Sequence, residues 1–203
     1  MLAENCYIVS DETNDCIIID CGAYSEMEKK CIEDYITEAH LTPRMHILTH
    51  GHFDHIMGSK WIYEKYGIKP TIYEADTDTY NNFNKDTEAF GFSIDYNLPA
   101  IGQYLTDGET IEFGTHSFKV THTPGHSKGS VIYYCDEEKV VFTGDTLFKS
   151  SIGRTDLPGG SMFQIIQSLR KITQLPDDTK VYPGHGGTTT IGYELATNPY
   201  LDR

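Results

Sequence analysis

Four potential metal ligands fall within six residues in the stretch Leu48-Thr49-His50-Gly51-His52-Phe53-Asp54-His55, and nothing else in the chain constrains it as strongly. A helix brings residues three and four apart onto one face. His50, His52, Asp54 and His55 mix spacings from one to five, so the stretch reads as a strand end, Ile47-Leu48-Thr49, running into a loop. On such a turning backbone the imidazoles converge from several directions. The plain alternative, a polar loop rich in His, does not account for so dense a cluster of good ligands. Histidine offers a neutral nitrogen to zinc, iron or manganese, and aspartate a charge-compensating oxygen. Three further candidates, His126, Asp145 and His185, each follow a glycine at the end of a predicted strand. Glycine permits a sharp turn beside the functional group. One ion takes about three protein ligands and keeps an open position. Seven candidates are too many for one ion, so the count points to two divalent metal ions, zinc first, with iron or manganese accepted by the same ligands.

The formal net charge of −14 opposes binding to phosphate backbones or anionic lipid, since no clustered Lys/Arg surface offsets it. The expected partner is a small-molecule substrate, with no nucleic acid and no membrane; the oligomeric state stays open. At 203 residues the chain is read as one domain over 1–203. Its five cysteines form no C-x-x-C pair, the count is odd, and no charged-then-apolar leader follows Met1. These features predict reduced thiols in a cytoplasmic protein, a Cys6–Cys16 bridge across a hairpin being the less favoured reading. No apolar run approaches the ~18 residues of a membrane span.

In chain order, Asn5–Ser10 and Asp15–Asp20 predict a hairpin around the polar Asp11-Glu12-Thr13-Asn14. Ser25-Glu26-Met27-Glu28 is a capping box opening a helix that Pro43 stops, and Arg44 to Thr49 returns to the sheet. A second helix is expected from Ile56 to Tyr66, ending at Gly67, then a strand from Pro70 to Tyr73. Residues 74–104 carry the weakest signal. Their aromatics, Tyr80, Phe83, Phe90, Phe92 and Tyr96, read as core contacts rather than a binding platform. Runs at Thr110–Phe113, Ser117–Thr123, Ser130–Cys135 and Lys139–Thr143 predict a second sheet that mirrors the early hairpins. A helix follows with a capping box at Ser161 and Gln164, closed by Pro176; then come a strand from Thr179 to Tyr182 and a short helix from Ile191 to Ala196. Two similar halves, each a sheet with helices outside, predict an α/β fold: a four-layer αββα sandwich with the ligand loops on one edge.

These motifs, Thr49-His50-Gly51-His52-Phe53-Asp54-His55, Gly125-His126, Gly144-Asp145 and Gly184-His185, resemble those of the metallo-β-lactamase superfamily over nearly the whole chain. Gly144-Asp145-Thr146-Leu147-Phe148, the run Ile152 to Gly160, Thr189-Thr190-Ile191-Gly192 and Asn198-Pro199 are similar to glyoxalase II and its shorter relatives. The resemblance implies His50, His52 and His126 on one metal, Asp54, His55 and His185 on the other, and Asp145 bridging them. It implies a hydrolase acting on a thioester such as S-D-lactoylglutathione by attack of a metal-bridging hydroxide, with Asp54 orienting the nucleophile. The bridging Asp145 argues against β-lactam hydrolysis. The C-terminal basic region with which larger relatives grip glutathione has no counterpart before Arg203. Arg154 is the candidate to bind a substrate carboxylate, its alternative being a structural bridge to Asp156. A persulfide dioxygenase, with one iron on His50, His126 and Asp145, is the rival activity; its relatives resemble a Pro-Ala-His version of Pro183-Gly184-His185. A vestigial, non-enzymatic domain is disfavoured by the complete ligand set. His40, His46, His116 and His122 are read as structural.

Overall fold

In the computed structural model, which describes residues 3–94 and 96–201, the first half of the chain builds a five-stranded sheet. β1 (Tyr7–Ser10) and β2 (Asp15–Ile19) form the expected antiparallel hairpin, turned by Asn14 at a φ of 64°. The capping box then opens α1 (Glu26–Glu38): Ser25 Oγ accepts from the Glu28 N–H, and the Glu28 carboxylate accepts from the Ser25 N–H. Pro43 does not stop this helix but lies inside β3 (Thr42–Ile47). Its missing N–H is accommodated where the β2–β3 register slips, Cys16 pairing with Pro43 and Ile17 with Met45.

The single helix predicted from Ile56 to Tyr66 is two, α2 (Phe53–Ile56) and α3 (Ser59–Tyr66). The break has a cause at Gly58, whose N–H is given to Cys21 O at 2.8 Å. Any Cβ there would collide with Cys21 Sγ. Gly67 ends α3 in the left-handed region at φ 73°, as its position predicted. β4 (Pro70–Tyr73), a 3₁₀ turn, α4 (Thr77–Asn81), α5 (Phe83–Ala89) and β5 (Gln103–Leu105) complete the half. The sheet order is β1-β2-β3-β4-β5, parallel from β2 onward.

The second half comprises β6 (Thr110–Phe113), β7 (His116–His122), β8 (Val131–Cys135), β9 (Val140–Gly144), the ribbon β10 (Leu147–Phe148) and β11 (Ser151–Ile152), α6 (Met162–Ile172), β12 (Lys180–Pro183), β13 (Thr189–Thr190) and α7 (Ile191–Thr197). α6 ends at Ile172, short of Pro176. Its Ser161 cap accepts from the Gln164 N–H, one half of the predicted box. The sheet order is β13-β12-β9-β8-β7-β6. β6 to β9 are antiparallel and β9–β12 parallel. The halves therefore share their layering but not their strand directions, and the expected mirror of hairpins is only partial.

Period-two alternation sorts the strands into layers. Ile17, Ile19 and Ile47 from the first sheet meet Phe118, Val120, Tyr133 and Phe142 from the second in the central core. Ile18 faces the other way, onto Ile36 of α1 and Ile62 of α3; Ile132, Val141 and Val181 face Ile165 and Leu169 of α6. The result is the four-layer αββα sandwich. The two sheets are also hydrogen-bonded just before the ligand motif: Tyr133 Oη donates to Leu48 O at 2.6 Å, and the Val131 N–H to Thr49 O at 2.8 Å. Among the described residues no helix is long and apolar enough to cross a membrane. All five cysteines are free, so the Cys6–Cys16 bridge does not form.

Candidate metal centre

Parallel neighbours end on the same side of a sheet, so β2 and β3 in one sheet and β9 and β12 in the other deliver their C-terminal loops to a common edge. His50 and His52 leave the loop after β3. Asp54 and His55 lie in the first turns of α2, a correction to the reading of the whole motif as loop. His126 stands in the β7–β8 loop, Asp145 follows β9, and His185 follows β12.

The seven side chains gather into two donor sets. One potential donor atom each from His50, His52 and His126 lies within 4.8 Å of the others, and the same holds for Asp54, His55 and His185. His52 Nδ1 faces His126 Nε2 at 2.8 Å, and His55 Nε2 faces His185 Nε2 at 3.2 Å. Asp145 spans the sets: Oδ1 is 3.4 Å from His55 Nε2, while Oδ2 is 3.5 Å from His126 Nε2 and 3.6 Å from His185 Nε2.

The outer nitrogens of these rings are already committed. His126 Nδ1 donates to Arg154 O at 2.8 Å and His185 Nδ1 to Ala3 O at 3.2 Å. His50 Nδ1 donates to Thr49 Oγ1, which donates to Asp20 Oδ2, and His55 Nδ1 donates to the same carboxylate oxygen at 2.9 Å. Each bond orients its ring with Nε2 aimed inward, so that the neutral imidazole carries its lone pair there, the arrangement that metal-binding imidazoles require. His50 Nε2 and Asp145 Oδ1 are buried with no hydrogen-bond partner. An orphaned buried polar atom costs about 1–3 kcal/mol, a cost that a cation among these donors removes. The residues present therefore fit a pair of divalent ions.

Charge agrees with geometry. Burial, reinforced by the neighbouring imidazoles, keeps His52 at about 3 and His50 well below the ordinary imidazole range. Burial alone pulls His55 down too, but the carboxylates of Asp145 and Asp20 override it and raise it. For Asp145 burial acts upward, and the charges of His55 and the other nearby imidazoles hold it below the usual carboxylate value. Burial likewise lowers His126, whereas the hydrogen bond to Asp54 and the charge of Asp145 outweigh burial and raise His185. The set of His50, His52 and His126 is thus held neutral, and a cation at the other set would displace protons from His55 and His185.

Three supporting groups lie outside the sequence reading. Asp20, buried at the end of β2 and in the left-handed region at φ 53°, is the shared acceptor described above. Asp76 is wholly buried and ties the two His loops together, accepting from the Gly51 N–H, Ser127 Oγ and the Gly129 N–H. Asn5 clamps the His185 turn: its N–H donates to Gly184 O, and Nδ2 donates to Pro183 O and Gly186 O at 3.0 and 2.9 Å. An Asp ending an Ile-rich strand was the one visible signal; the other two contacts span long stretches of sequence. Asn5→Ala is expected to weaken metal binding by Asp54, His55 and His185 about tenfold while sparing the other set. A metal titration against a chromophoric chelator measures this.

A cleft of about 370 Å³ opens on the centre, with Phe53, Phe90, Phe148, Ile152 and Leu157 among its walls. Arg154 stands at its rim, paired in two 2.7 Å hydrogen bonds with the exposed Asp156, the alternative foreseen for it. Of the histidines read as structural, His46 is fully buried, His122 stacks on Tyr73, and His116 bonds to Asp11 and Glu138.

The model of the metallo-beta-lactamase superfamily matches residues 2–185. The chain belongs to that superfamily. Within it, the hydroxyacylglutathione hydrolase GloC of Haemophilus influenzae is 34% identical over 209 residues, covering 98% of this chain and 93% of its own. A solved structure described as the BLEG-1 B3 metallo-beta-lactamase is 35% identical, with a TM-score of 0.90 and coverage of 100% and 96% of the two chains. The structure of TTHA1623 in a di-iron-bound form is 36% identical, with a TM-score of 0.88 and coverage of 98% and 96%. Superfamily membership makes this a metallo-hydrolase fold with a candidate divalent-metal site.

Proposed function

We propose that this protein is a dinuclear metal-dependent hydrolase that cleaves a thioester, S-D-lactoylglutathione or a related acyl thiol. The observation that carries the reading is Asp145, whose two oxygens reach both donor sets while Oδ1 and the nearby His50 Nε2 lack any other partner. His50, His52 and His126 would hold one ion, Asp54, His55 and His185 the other, and Asp145 both. Two such ions supply hydroxide at neutral pH, by drawing the pKa of a water from ~15.7 towards ~7, together with a Lewis acid for the carbonyl oxygen. Asp54, whose Oδ2 lies 3.3 Å from His185 Nε2, would orient the attacking water. Burial would raise its pKa, but the hydrogen bond from His185 and the charge of His55 more than offset this, so Asp54 is held ionised, the form that binds metal and accepts a hydrogen bond from a water. A thiol of pKa ~8.5 leaves readily as thiolate, so the site needs no strong general acid.

The named relative supports a thioester substrate, and the di-iron structure supports two metals in this scaffold. The BLEG-1 structure weakens the argument from Asp145 against β-lactams, so a β-lactam belongs in the same assay. The purified protein is expected to carry about two metals per chain by elemental analysis and to release thiol from S-D-lactoylglutathione. Chelation should abolish that release, and zinc, iron or manganese restore it. One iron per chain, with oxygen uptake on a persulfide, would replace this reading with the mononuclear dioxygenase using His50, His126 and Asp145.

A further inference from the structure

The wall of the cleft is built by a helix terminus. α5 closes at Phe90 with Gly91 at φ 81°; the Gly91 N–H donates to Glu88 O and the Phe92 N–H to Thr87 O. This pair of bonds is the Schellman ending, which places the residues around the glycine in a defined orientation. Phe92 turns inward, while Phe90 stays 49% exposed, its ring 4.9 Å from that of Phe53 at the mouth of the metal cleft. Phe148, Ile152 and Leu157 face the same cleft. An aromatic ring left half in water beside a reactive centre gains free energy when an apolar ligand covers it.

Charge in the cleft acts in the same direction. Among the described lining residues Arg154 is the one arginine or lysine, and its Nε and Nη2 donate to the Asp156 carboxylate, which offsets its charge and occupies the side of the guanidinium best suited to a second carboxylate. The chain as a whole carries −14, which repels anionic ligands. Resting on the thioesterase reading, we propose that among acyl thiols the preferred substrate is a thioester bearing an aromatic or branched apolar group and no carboxylate, S-D-lactoylglutathione with its two carboxylates being turned over less efficiently. Phe90 and Phe53 recognise that group, and Asp156 offsets the charge that Arg154 would offer a substrate carboxylate, which makes Phe90 and Asp156 the specificity-determining residues. The reaction balances as thioester plus water giving carboxylic acid plus thiol.

The test compares two acetyl thioesters on the metal-loaded enzyme, one of benzyl mercaptan and one of mercaptosuccinate. The benzyl thioester is expected to have a kcat/KM about tenfold or more higher. Phe90→Ala should lower it about tenfold through KM with kcat little changed, since the ring contacts the substrate away from the reacting carbon. Asp156→Asn should raise kcat/KM for the mercaptosuccinate ester about tenfold by freeing the guanidinium for its carboxylates. A preference for the dicarboxylate in the wild type, or a selectivity unmoved by both variants, overturns the proposal. Failure to turn over either ester defeats the thioesterase reading separately. Saturation-transfer NMR with the non-hydrolysable benzyl ethyl sulfide then still decides the wall: transfer to the benzyl protons that disappears in Phe90→Ala supports it, and transfer of equal strength in both proteins overturns it.

Discussion

Gly184→Ala is expected to leave the protein folded but to reduce its metal content from about two ions per chain to about one, with thioesterase turnover falling about 100-fold or more. The backbone at 184 has no positive φ, unlike Gly125 and Gly144, so an L residue fits the turn itself. What it does not fit is the space. A Cβ would overlap Asp145 Oδ1, lie 2.7 Å from His55 Cε1 and meet Gly144 C at 3.0 Å. Both side-chain neighbours belong to the proposed dinuclear centre, and neither can yield: His55 is wholly buried and Asp145 is 8% exposed. The substitution therefore pushes the bridging carboxylate and one imidazole off their positions, so the set of Asp54, His55 and His185 loses two donors, while the set of His50, His52 and His126 keeps its three imidazoles and loses only the shared carboxylate. Elemental analysis and thiol-release kinetics on the purified variant measure both effects. Two metals at full activity would show that Asp145 does not need its present position.

Asp20→Asn is expected to weaken metal binding about 10–100-fold and to lower Tm by about 3–10 °C. The carboxylate accepts from the Thr49 N–H at Oδ1, and from Thr49 Oγ1 and His55 Nδ1 at Oδ2. An asparagine keeps one acceptor oxygen and turns an NH₂ against the remaining donors. Because Thr49 Oγ1 also accepts from His50 Nδ1, the change disturbs the tautomers of His50 and His55 together, one from each donor set. The expected signature is thus a loss at both sites, in contrast to Asn5→Ala and Gly184→Ala. Calorimetric metal titration and thermal melting check it, and unchanged values in both would remove Asp20 from the supporting network.

Much of the site was legible because its chemistry is concentrated in residue types with few other uses. Four ligands in one motif, and three glycine-led strand ends, marked all seven side chains that the fold brings together. Asn5 and Asp76 were not legible, since a single Asn or Asp carries no signal until its partners are known. Asn5 clamps the turn before Gly186, and Asp76 joins Gly51 to Ser127 and Gly129. The break at Gly58 was hidden for the same reason, since the obstruction is Cys21, far back in the chain.

Phe90 marks the boundary most clearly. As one aromatic among several in a polar stretch it read as a core contact. Tyr80 and Phe83 are buried in that way, but Phe90 is not. Periodicity and capping residues act over a few neighbouring positions, so the chain by itself determined its longer strands, the capped starts of α1 and α6, its sandwich class and the identity of the candidate ligands. Whether Arg154 meets Asp156 or solvent, which imidazole nitrogen is bare, and which aromatic faces the cleft depend on contacts closed only when the two sheets pack. Those were decided by the tertiary structure alone.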